Sequence, residues 1–275
     1  MILLDWNVQW CRGMDGRVDP ARIAAEIRRL ADPDVICLQE IGANFPELKG
    51  SAGEDQAHAL ADALPGYEVC LVSGVDVPGS RGRRSRFGNL VLSRLPVGRI
   101  LRHSLPWPPS PDAPSMPRVA VEAVVSAPSG PLRVICTHLE YYVAAHRAAQ
   151  IGRLRSLHAE ACAEREPFDE PGPFRSEELP MSAVLCGDFN MPPEDTLHEV
   201  LGAPFGGGVP AFVDAWRAAH PDQSHPHTFH VHDDKESYCC DYVYVTEDLV
   251  PRLNAVRIDA QTQAADHQPI IVEIQ

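Results

Sequence analysis

The chain has 275 residues, of which 44% are apolar and 23% are charged, so it is long enough for one sizeable core and is not disordered in composition. Its formal net charge of -14 opposes long-range attraction to polyanions such as DNA and RNA. Nucleic acid is therefore not favoured as a partner. It stays open as an alternative, because a divalent ion bound by some of the carboxylates would make the charge locally positive.

No targeting signal is expected from the amino-terminal residues. Met1–Asn7 has no basic start, long apolar run or small-residue cleavage site, and no later stretch is long enough to span a bilayer. The eight cysteines include no CxxC pair, and Cys37, Cys70, Cys136 and Cys186 lie in apolar runs typical of strands. We therefore expect reduced thiols and a cytoplasmic location, and the sequence predicts no oligomeric state.

The first third of the chain alternates strands and helices. Asp19-Pro20 is typical of a helix start, and apolar residues follow at helical spacing through about Ala31. This strand–helix–strand opening indicates a layered α/β domain. The other elements predicted here are strands at Ile2–Val8, Asp34–Gln39, Tyr67–Ser73 and Asn89–Ser93, a helix at Glu54–Leu64, and a polar loop with four arginines at Gly74–Phe87.

The remainder continues this pattern after an irregular segment, Ser104–Pro117, which holds six prolines. No linker separates two cores and no repeat occurs, so a single domain over residues 1–275 is predicted. The predicted elements are strands at Val119–Ser126, Leu132–Thr137, Ala183–Gly187, Tyr242–Val245 and Ile270–Ile274, helices at Ala144–Glu164 and Pro210–Ala219, and a charged connection at Glu166–Pro180.

Several apolar strands end in a polar residue of a type that takes part in catalysis. Ligands of α/β folds gather at strand ends, so these residues are predicted to meet although they are far apart in sequence. The strand-end groups are Asn7, Gln39-Glu40, Thr137-His138, Asp188 with Asn190, and Asp266-His267 before the last strand.

The chemistry of this set is that of a hard, oxygen-rich metal site. Carboxylates and an amide oxygen suit Mg²⁺ or Mn²⁺, whereas zinc would take more histidine or cysteine. An ion with few protein ligands keeps open positions for a phosphate oxygen and polarises the phosphorus atom. A histidine paired with a carboxylate can contact that phosphate or transfer protons.

Seven short motifs run in order from near residue 6 to residue 269, and together they resemble one superfamily. Each is weak alone, but their order and spacing resemble the endonuclease/exonuclease/phosphatase superfamily, which includes deoxyribonuclease I, neutral sphingomyelinases and tyrosyl-DNA phosphodiesterase 2. The motifs are Trp6-Asn7-Val8, Cys37-Leu38-Gln39-Glu40, Gly88-Asn89-Leu90-Val91-Leu92-Ser93, Thr137-His138-Leu139-Glu140, Gly187-Asp188-Phe189-Asn190, Asp241-Tyr242-Val243-Tyr244-Val245 and Asp266-His267-Gln268-Pro269.

The resemblance implies a fold and a set of metal ligands. The fold is a four-layered α/β sandwich, with two mostly antiparallel sheets packed face to face and helices outside. The resemblance also implies a hydrolase that uses Mg²⁺ or Mn²⁺, with Glu40 as the main ligand and Asn7 and Asp266 near it. It implies that Asp188, helped by Asn190, orients or deprotonates the attacking water, or that these two residues bind a second ion.

The same resemblance implies how the phosphate is held. His267, oriented by Asp241, would contact the scissile phosphate, and His138 and Asn89 would bind its oxygens. Ala265 departs from the serine common before the last Asp-His pair. No apolar membrane-binding hairpin is visible, which weakens a sphingomyelinase interpretation.

The arginine-rich loop before Asn89 is predicted to reach the site and hold phosphate or carboxylate groups of the substrate, mainly through Arg84 and Arg86. A solvated loop is an equal alternative. Gln9 stands where some nucleases carry an acidic residue, which weakens an abasic-nuclease interpretation.

A histidine-rich stretch, His220–His232, is predicted to be an ordinary loop, with transition-metal binding as the alternative. Cys239-Cys240 beside Asp241 is a candidate for oxidation.

Three functions follow as hypotheses. The first is a metal-dependent phosphodiesterase or phosphatase acting on a small or lipid-derived phosphoester, which the acidic charge favours. The second is a nuclease or DNA-end-processing phosphodiesterase, because Thr137-His138-Leu139-Glu140 resembles the tyrosyl-DNA phosphodiesterase motif. The third is an inactive binding protein of the same fold, against which the intact candidate ligands count.

Overall fold

The structure, a computed structural model, describes residues 1–110, 113–163 and 179–275, and for residue 81 it describes the backbone alone. Five α-helices lie outside two six-stranded sheets in this part of the chain. The strands are β1 (Ile2–Asn7), β2 (Val35–Ala43), β3 (Glu68–Pro78), β4 (Arg84–Ser93), β5 (Val97–Ser104), β6 (Val119–Ala127), β7 (Gly130–His138), β8 (Ala183–Asp188), β9 (Phe212–Asp214), β10 (Asp241–Thr246), β11 (Leu253–Ile258) and β12 (Ile270–Ile274). The helices are α1 (Pro20–Leu30), α2 (Gln56–Ala63), α3 (Ala144–Ala163), α4 (Leu197–Gly202) and α5 (Ala215–Ala219).

The two sheets have the same internal plan. Their strand orders are β11-β12-β1-β2-β4-β3 and β5-β6-β7-β8-β10-β9. The central pairs β1–β2 and β7–β8 are parallel, and the other pairs are antiparallel. The predicted sandwich of two mostly antiparallel sheets with outer helices is confirmed.

The main core lies between the sheets, where alternate residues of each strand face the opposite sheet. Leu3 and Val91 of the first sheet belong to this core together with Val121 and Val134 of the second. The residues between them face outward and pack under helices, as Leu4 does beneath α1 and α2. Because both faces of the central strands are covered, these strands are mostly apolar, with the buried Asp5 in β1 and Arg133 in β7 as exceptions, and polar residues gather toward their carboxyl ends.

The two parallel pairs determine where those polar ends lie. Asn7 ends β1 in register with Gln39 of β2, and His138 ends β7 in register with Asp188 of β8. Asp241 begins the antiparallel strand β10 directly opposite Asp188. Each sheet thus places its catalytic-type residues at the carboxyl end of its parallel pair.

Gly187 allows the central strands of the second sheet to approach closely. Its φ is +140°, and a Cβ there would lie 1.9 Å from the carbonyl oxygen of Thr137. A glycine is therefore required immediately before the catalytic-type residue Asp188.

Several elements differ from the sequence prediction. Helix α1 begins as predicted, with Asp19 accepting a hydrogen bond from the Arg22 backbone N–H. The prediction of a loop at Gly74–Phe87 is wrong, because most of these residues form a hairpin of β3 and β4 in which Pro78 pairs with Arg84. Ser85 and Phe87 are buried on one side of that strand, which gives it the alternation of a β-strand.

Further elements were not predicted, namely α4 and the strands β5, β9 and β11. Phe212–Asp214 is a short strand where the sequence predicted helix, and the helix starts only at Ala215. Most of the predicted connection at Glu166–Pro180, together with the last residue of the helix predicted at Ala144–Glu164, lies outside the described residues. Within the described residues, no helix is both long and apolar enough to cross a membrane.

Candidate active site

A cleft of about 420 Å³ opens at the edge where the strand ends gather. Its polar lining comes from both sheets and from the loop before β12, so residues far apart in sequence do meet at one cavity. We call this cavity the cleft; its charged and polar lining residues are Gln9, Glu40, Arg118, His138, Asp188, Asn190, Asp266 and His267, with Tyr141 and Tyr142 at its side.

Glu40 is directed to the cleft by an irregularity in β2. The pairing of β2 with β4 shifts register between Leu38 and Ile41, and Glu40 has a φ of +62°. A bulge of this kind turns a side chain away from the regular alternation. The Glu40 carboxylate accepts a hydrogen bond of 3.2 Å from Asn7 Nδ2. Burial and the neighbouring Asp266 carboxylate raise the pKa of Glu40 to about 7.

Asp266 is the second carboxylate beside Glu40. Its Oδ2 accepts a hydrogen bond from Gln9 Nε2, whereas its Oδ1 is buried without a partner. Burial raises the pKa of Asp266 above its ordinary value. Two carboxylates are therefore held together with one oxygen unsatisfied, an arrangement that a bound cation would stabilise.

Asp188 lies at the end of β8, and its two oxygens have different partners. Oδ1 accepts the backbone N–H of Asn190 at 2.9 Å, and Oδ2 accepts Asn7 Nδ2 at 3.0 Å. Asn190 has a φ of +53°, a conformation in which its amide is turned back toward the strand end. Burial and Asp241 raise the pKa of Asp188, which brings its carboxylate nearer to the range useful for accepting a proton at neutral pH.

His138 is neutral in this setting. Burial, followed by the nearby Arg118 and His267 cations, holds the pKa of His138 well below its ordinary value. Asn190 Nδ2 lies 3.0 Å from His138 Nε2, which assigns Nε2 as the hydrogen-bond acceptor and Nδ1 as the protonated nitrogen. The Nδ1–H then faces Glu40 Oε1 at 3.9 Å.

His267 is held in the opposite protonation state. Burial disfavours the charge, but the Asp241 carboxylate, 2.9 Å from Nδ1, overcomes it and raises the pKa of His267 to about 10. The Phe229 ring stacks on the imidazole with centroids 4.3 Å apart, and Trp6 Nε1 donates to the His267 carbonyl. The other ring nitrogen, Nε2, lies 3.8 Å from Asp188 Oδ2.

The residues present fit a divalent cation. Glu40 and Asp266 line the cleft and offer carboxylate oxygens, of which Asp266 Oδ1 is unsatisfied. Oxygen donors of this type suit Mg²⁺ or Mn²⁺. Asn7 was predicted to lie near the metal as a ligand. In the structure its Nδ2 donates hydrogen bonds to Glu40 and Asp188, and its oxygen accepts one from the Gln9 backbone N–H.

A second group of potential ligand atoms lies deeper in the same region. Atoms of Asp188, Cys240, Asp241 and His267 lie within 4.8 Å of one another. Asp241 and His267 already bond to each other there, and burial raises the pKa of the Cys240 thiol well above its ordinary value. The Glu40–Asp266 pair is therefore the better place for a hard cation, because both of its carboxylates line the open cleft, whereas Cys240 and Asp241 of the other group do not.

Five of the predicted site residues do not line the cleft. Two of them bond to lining residues, Asn7 to Glu40 and Asp188, and Asp241 to His267. The other three are Asn89, Arg84 and Arg86. Asn89 lies behind the cleft and donates a hydrogen bond of 2.9 Å to the Val119 carbonyl. Arg84 and Arg86 lie on β4, away from the cleft, and both face Asp76, with Nε–carboxylate distances of 2.5 Å and 4.0 Å. The structure therefore does not bring the two arginines to the position expected from the sequence.

Arg118, which is buried in the cleft wall just before β6, was not among the predicted site residues. It follows a proline-rich segment without a recognisable motif, so no local signal marks it. The aromatic wall formed by Trp10, Phe45 and Phe87 was not predicted either. Tyr141 and Tyr142, which pack edge to face at 4.9 Å and are exposed, extend that wall toward solvent.

The histidine-rich stretch has separate local partners. His225 pairs with Asp214 at 2.8 Å and His230 with Asp233 at 2.6 Å. None of these histidines belongs to a cluster of potential metal ligands in the described part of the chain. This arrangement agrees with the predicted loop and offers nothing for the transition-metal alternative.

Comparisons with known proteins agree with this geometry. The model of the endonuclease/exonuclease/phosphatase family matches residues 6–267. A comparison with curated proteins finds no match. Among solved structures, an endonuclease/exonuclease/phosphatase from Beutenbergia cavernae has a TM-score of 0.71 at 23% identity, covering 100% of this chain and 71% of that chain.

Two further structural neighbours have names that refer to particular proteins. Truncated TDP2 from Caenorhabditis elegans has a TM-score of 0.63 at 18% identity, covering 99% of this chain and 96% of that one. A mannosyl-6-phosphatase from Bacteroides thetaiotaomicron has a TM-score of 0.65 at 16% identity, covering 100% and 99%. At these identities the likeness shows the fold alone, whereas the family match spans nearly the whole sequence. The chain belongs to the endonuclease/exonuclease/phosphatase family, whose members are hydrolases of phosphoester bonds.

Proposed function

We propose that the protein is a divalent-metal-dependent phosphoesterase that hydrolyses a small or lipid-derived phosphoester by in-line attack of an activated water. The observation that carries this proposal is the convergence of Glu40, Asp266, Asp188, His138 and His267 on one cleft. Their protonation states are complementary, since the pKa of His267 is raised while that of His138 is lowered.

The residues divide the work of the reaction. Glu40 and Asp266 would hold Mg²⁺ or Mn²⁺, which offsets negative charge on the phosphoryl group when bound. Asp188 accepts a proton from the attacking water as the water oxygen bonds to phosphorus. The bond from phosphorus to the alcohol oxygen breaks with its electron pair on that oxygen, which takes up a proton from solvent water. His267, kept protonated by Asp241, donates an N–H to the phosphoryl oxygens. Asn190 orients His138, whose Nδ1–H faces the same space.

The lining of the cleft favours a small substrate with an apolar portion. Trp10, Phe45, Phe87 and Met116 provide apolar surface beside the polar centre. Arg118 is the sole arginine or lysine among the described lining residues, so no row of basic side chains follows a polynucleotide backbone. The DNA-end-processing alternative is supported by the likeness to the fold of TDP2 and by the Thr137-His138-Leu139-Glu140 motif, but by no basic groove among the described lining residues of the cleft.

The test is hydrolysis of bis-p-nitrophenyl phosphate by the purified chain with Mg²⁺ or Mn²⁺. We expect turnover that is abolished by EDTA, restored by the metal, and lost in Glu40→Ala. The matched control is Glu160→Ala, because that carboxylate is exposed on α3 and, among the described residues, pairs with Arg153. Unchanged turnover in Glu40→Ala, or in EDTA, would contradict the proposal, and an inactive but folded wild-type chain would favour the binding-protein alternative.

A further inference from the structure

Arg118 is buried in the cleft wall with two of its guanidinium nitrogens unpartnered. Its side chain is 7% exposed, and its Nε and Nη1 atoms are both buried and have no hydrogen-bond partner among the described residues. A buried guanidinium that satisfies none of these donors is costly, because each loses its bonds to water. Such a group in a cavity wall indicates that a ligand supplies the missing acceptors.

Glu140 holds this cation in place without saturating it. The Glu140 side chain is fully buried, and its Oε1 accepts a hydrogen bond of 2.8 Å from the Tyr142 backbone N–H. Its Oε2 has no hydrogen-bond partner and lies 3.8 Å from Arg118 Nε, which is an ion-pair distance and too long for a hydrogen bond. The carboxylate offsets the charge of the guanidinium but leaves its donors free.

Arg118 lies in the same cleft as the candidate catalytic residues. It lines the cleft together with His138 and Asp188, and a small cavity behind the cleft is also bounded by both Arg118 and His138. A guanidinium offers parallel N–H donors that match two oxygens of one phosphate group. The ligand class indicated is therefore an anion with two acceptor oxygens close together.

The net charge of the phosphate ester determines how much the Arg118 guanidinium contributes to binding. A phosphodiester carries one negative charge, which His267 and a cation at Glu40 and Asp266 already face. A phosphomonoester dianion carries a further charge and a further terminal oxygen, which need another donor. We propose that Arg118 binds the terminal oxygens of a phosphomonoester dianion, so that the cleft prefers small phosphomonoesters to diesters, an inference that rests on the proposed function.

The experiment compares Arg118→Met and Arg118→Lys with the wild type on p-nitrophenyl phosphate and bis-p-nitrophenyl phosphate, which share a leaving group. In Arg118→Met we expect kcat/KM to fall at least about 10-fold on the monoester, mainly through KM, and by less than about threefold on the diester. Arg118→Lys, which keeps the charge but not the paired donors, is expected to be intermediate. The matched control is Arg153→Met, since Arg153 pairs with Glu160 on the outer surface of α3.

A direct binding measurement accompanies the kinetics. Inorganic phosphate with Mg²⁺ is expected to raise the thermal midpoint of the wild type and of Arg153→Met, and much less that of Arg118→Met. An equal loss on both esters, or none on either, would overturn the inference, as would an undiminished phosphate effect in Arg118→Met. If the wild type cleaves neither ester but phosphate stabilises it through Arg118, the proposed function fails and the anion site stands.

Discussion

Replacing Asp241 with asparagine should remove the charge of His267 at neutral pH. The Asp241 carboxylate is buried 2.9 Å from His267 Nδ1 and is the main reason why the pKa of His267 rises from 6.5 to about 10. That difference corresponds to about 5 kcal/mol in favour of the imidazolium, at about 1.36 kcal/mol for each unit of pKa. Asparagine has nearly the same shape but no charge, so burial then lowers the pKa of His267.

The expected result is a change in the pH profile as well as in rate. The wild type should keep the His267 cation as pH rises to about 10, whereas Asp241→Asn should lose it as pH rises through neutrality. At about pH 8 we expect turnover to fall by roughly 10²–10⁴-fold, the usual contribution of such a group. The assay is kcat/KM for bis-p-nitrophenyl phosphate with saturating Mg²⁺ over about pH 6 to pH 10.

The control is Asp214→Asn, which removes the charge from a similar histidine–carboxylate pair outside the cleft, at a 2.8 Å distance from His225. Asparagine also caps α5 as well as aspartate does, so the fold should be kept. If Asp241→Asn kept the alkaline limb of the wild-type profile, the assigned role of the Asp241–His267 pair would be refuted.

Three further predictions concern the metal, the fold and the orientation of the site. Ionised Glu40 destabilises the metal-free fold, because its pKa is raised and the stability it contributes is lost as pH rises through about 7. Mn²⁺ should therefore raise the thermal midpoint more at about pH 8 than at about pH 5.5. An equal rise in Glu40→Gln would contradict this expectation. Gly187→Ala should lower the free energy of unfolding by more than about 3 kcal/mol in urea titrations. The control is Gly152→Ala, in open space on a helix, which should leave the free energy of unfolding equal or higher. A tolerated Gly187→Ala would refute the close approach to Thr137. Asn190→Ala should lower kcat roughly 10²-fold with the fold intact, and a change in KM alone would indicate a role in binding.

Much of the candidate site was predictable because strand geometry concentrates polar residues at one edge. Asn7, His138 and Asp188 end largely apolar strands, Glu40 follows the apolar run of β2 at its bulge, and the family motifs cover these positions. The contrast between a buried strand and its polar end is a local signal, so the sequence is sufficient to find it.

Other features depend on contacts that no local pattern encodes. Arg118 acquires its significance from burial against Glu140 and from the cleft in front of it, neither of which is visible near it in sequence. Arg84 was expected at the site because it lies close to Asn89 in sequence, but the hairpin of β3 and β4 directs it to Asp76. Strand β5 was missed because it is an edge strand in which every residue is partly or fully exposed and which carries arginines within it.

The most direct test of the metal-centred account is the anomalous scattering of Mn²⁺ in crystals of the protein. If Glu40 and Asp266 hold the ion, we expect one strong peak in the cleft, from an ion about 2.0–2.2 Å from carboxylate oxygens of both residues. The peak should be lost in Glu40→Gln crystals. A peak among Asp188, Cys240, Asp241 and His267 instead, or no peak with saturating Mn²⁺, would contradict it.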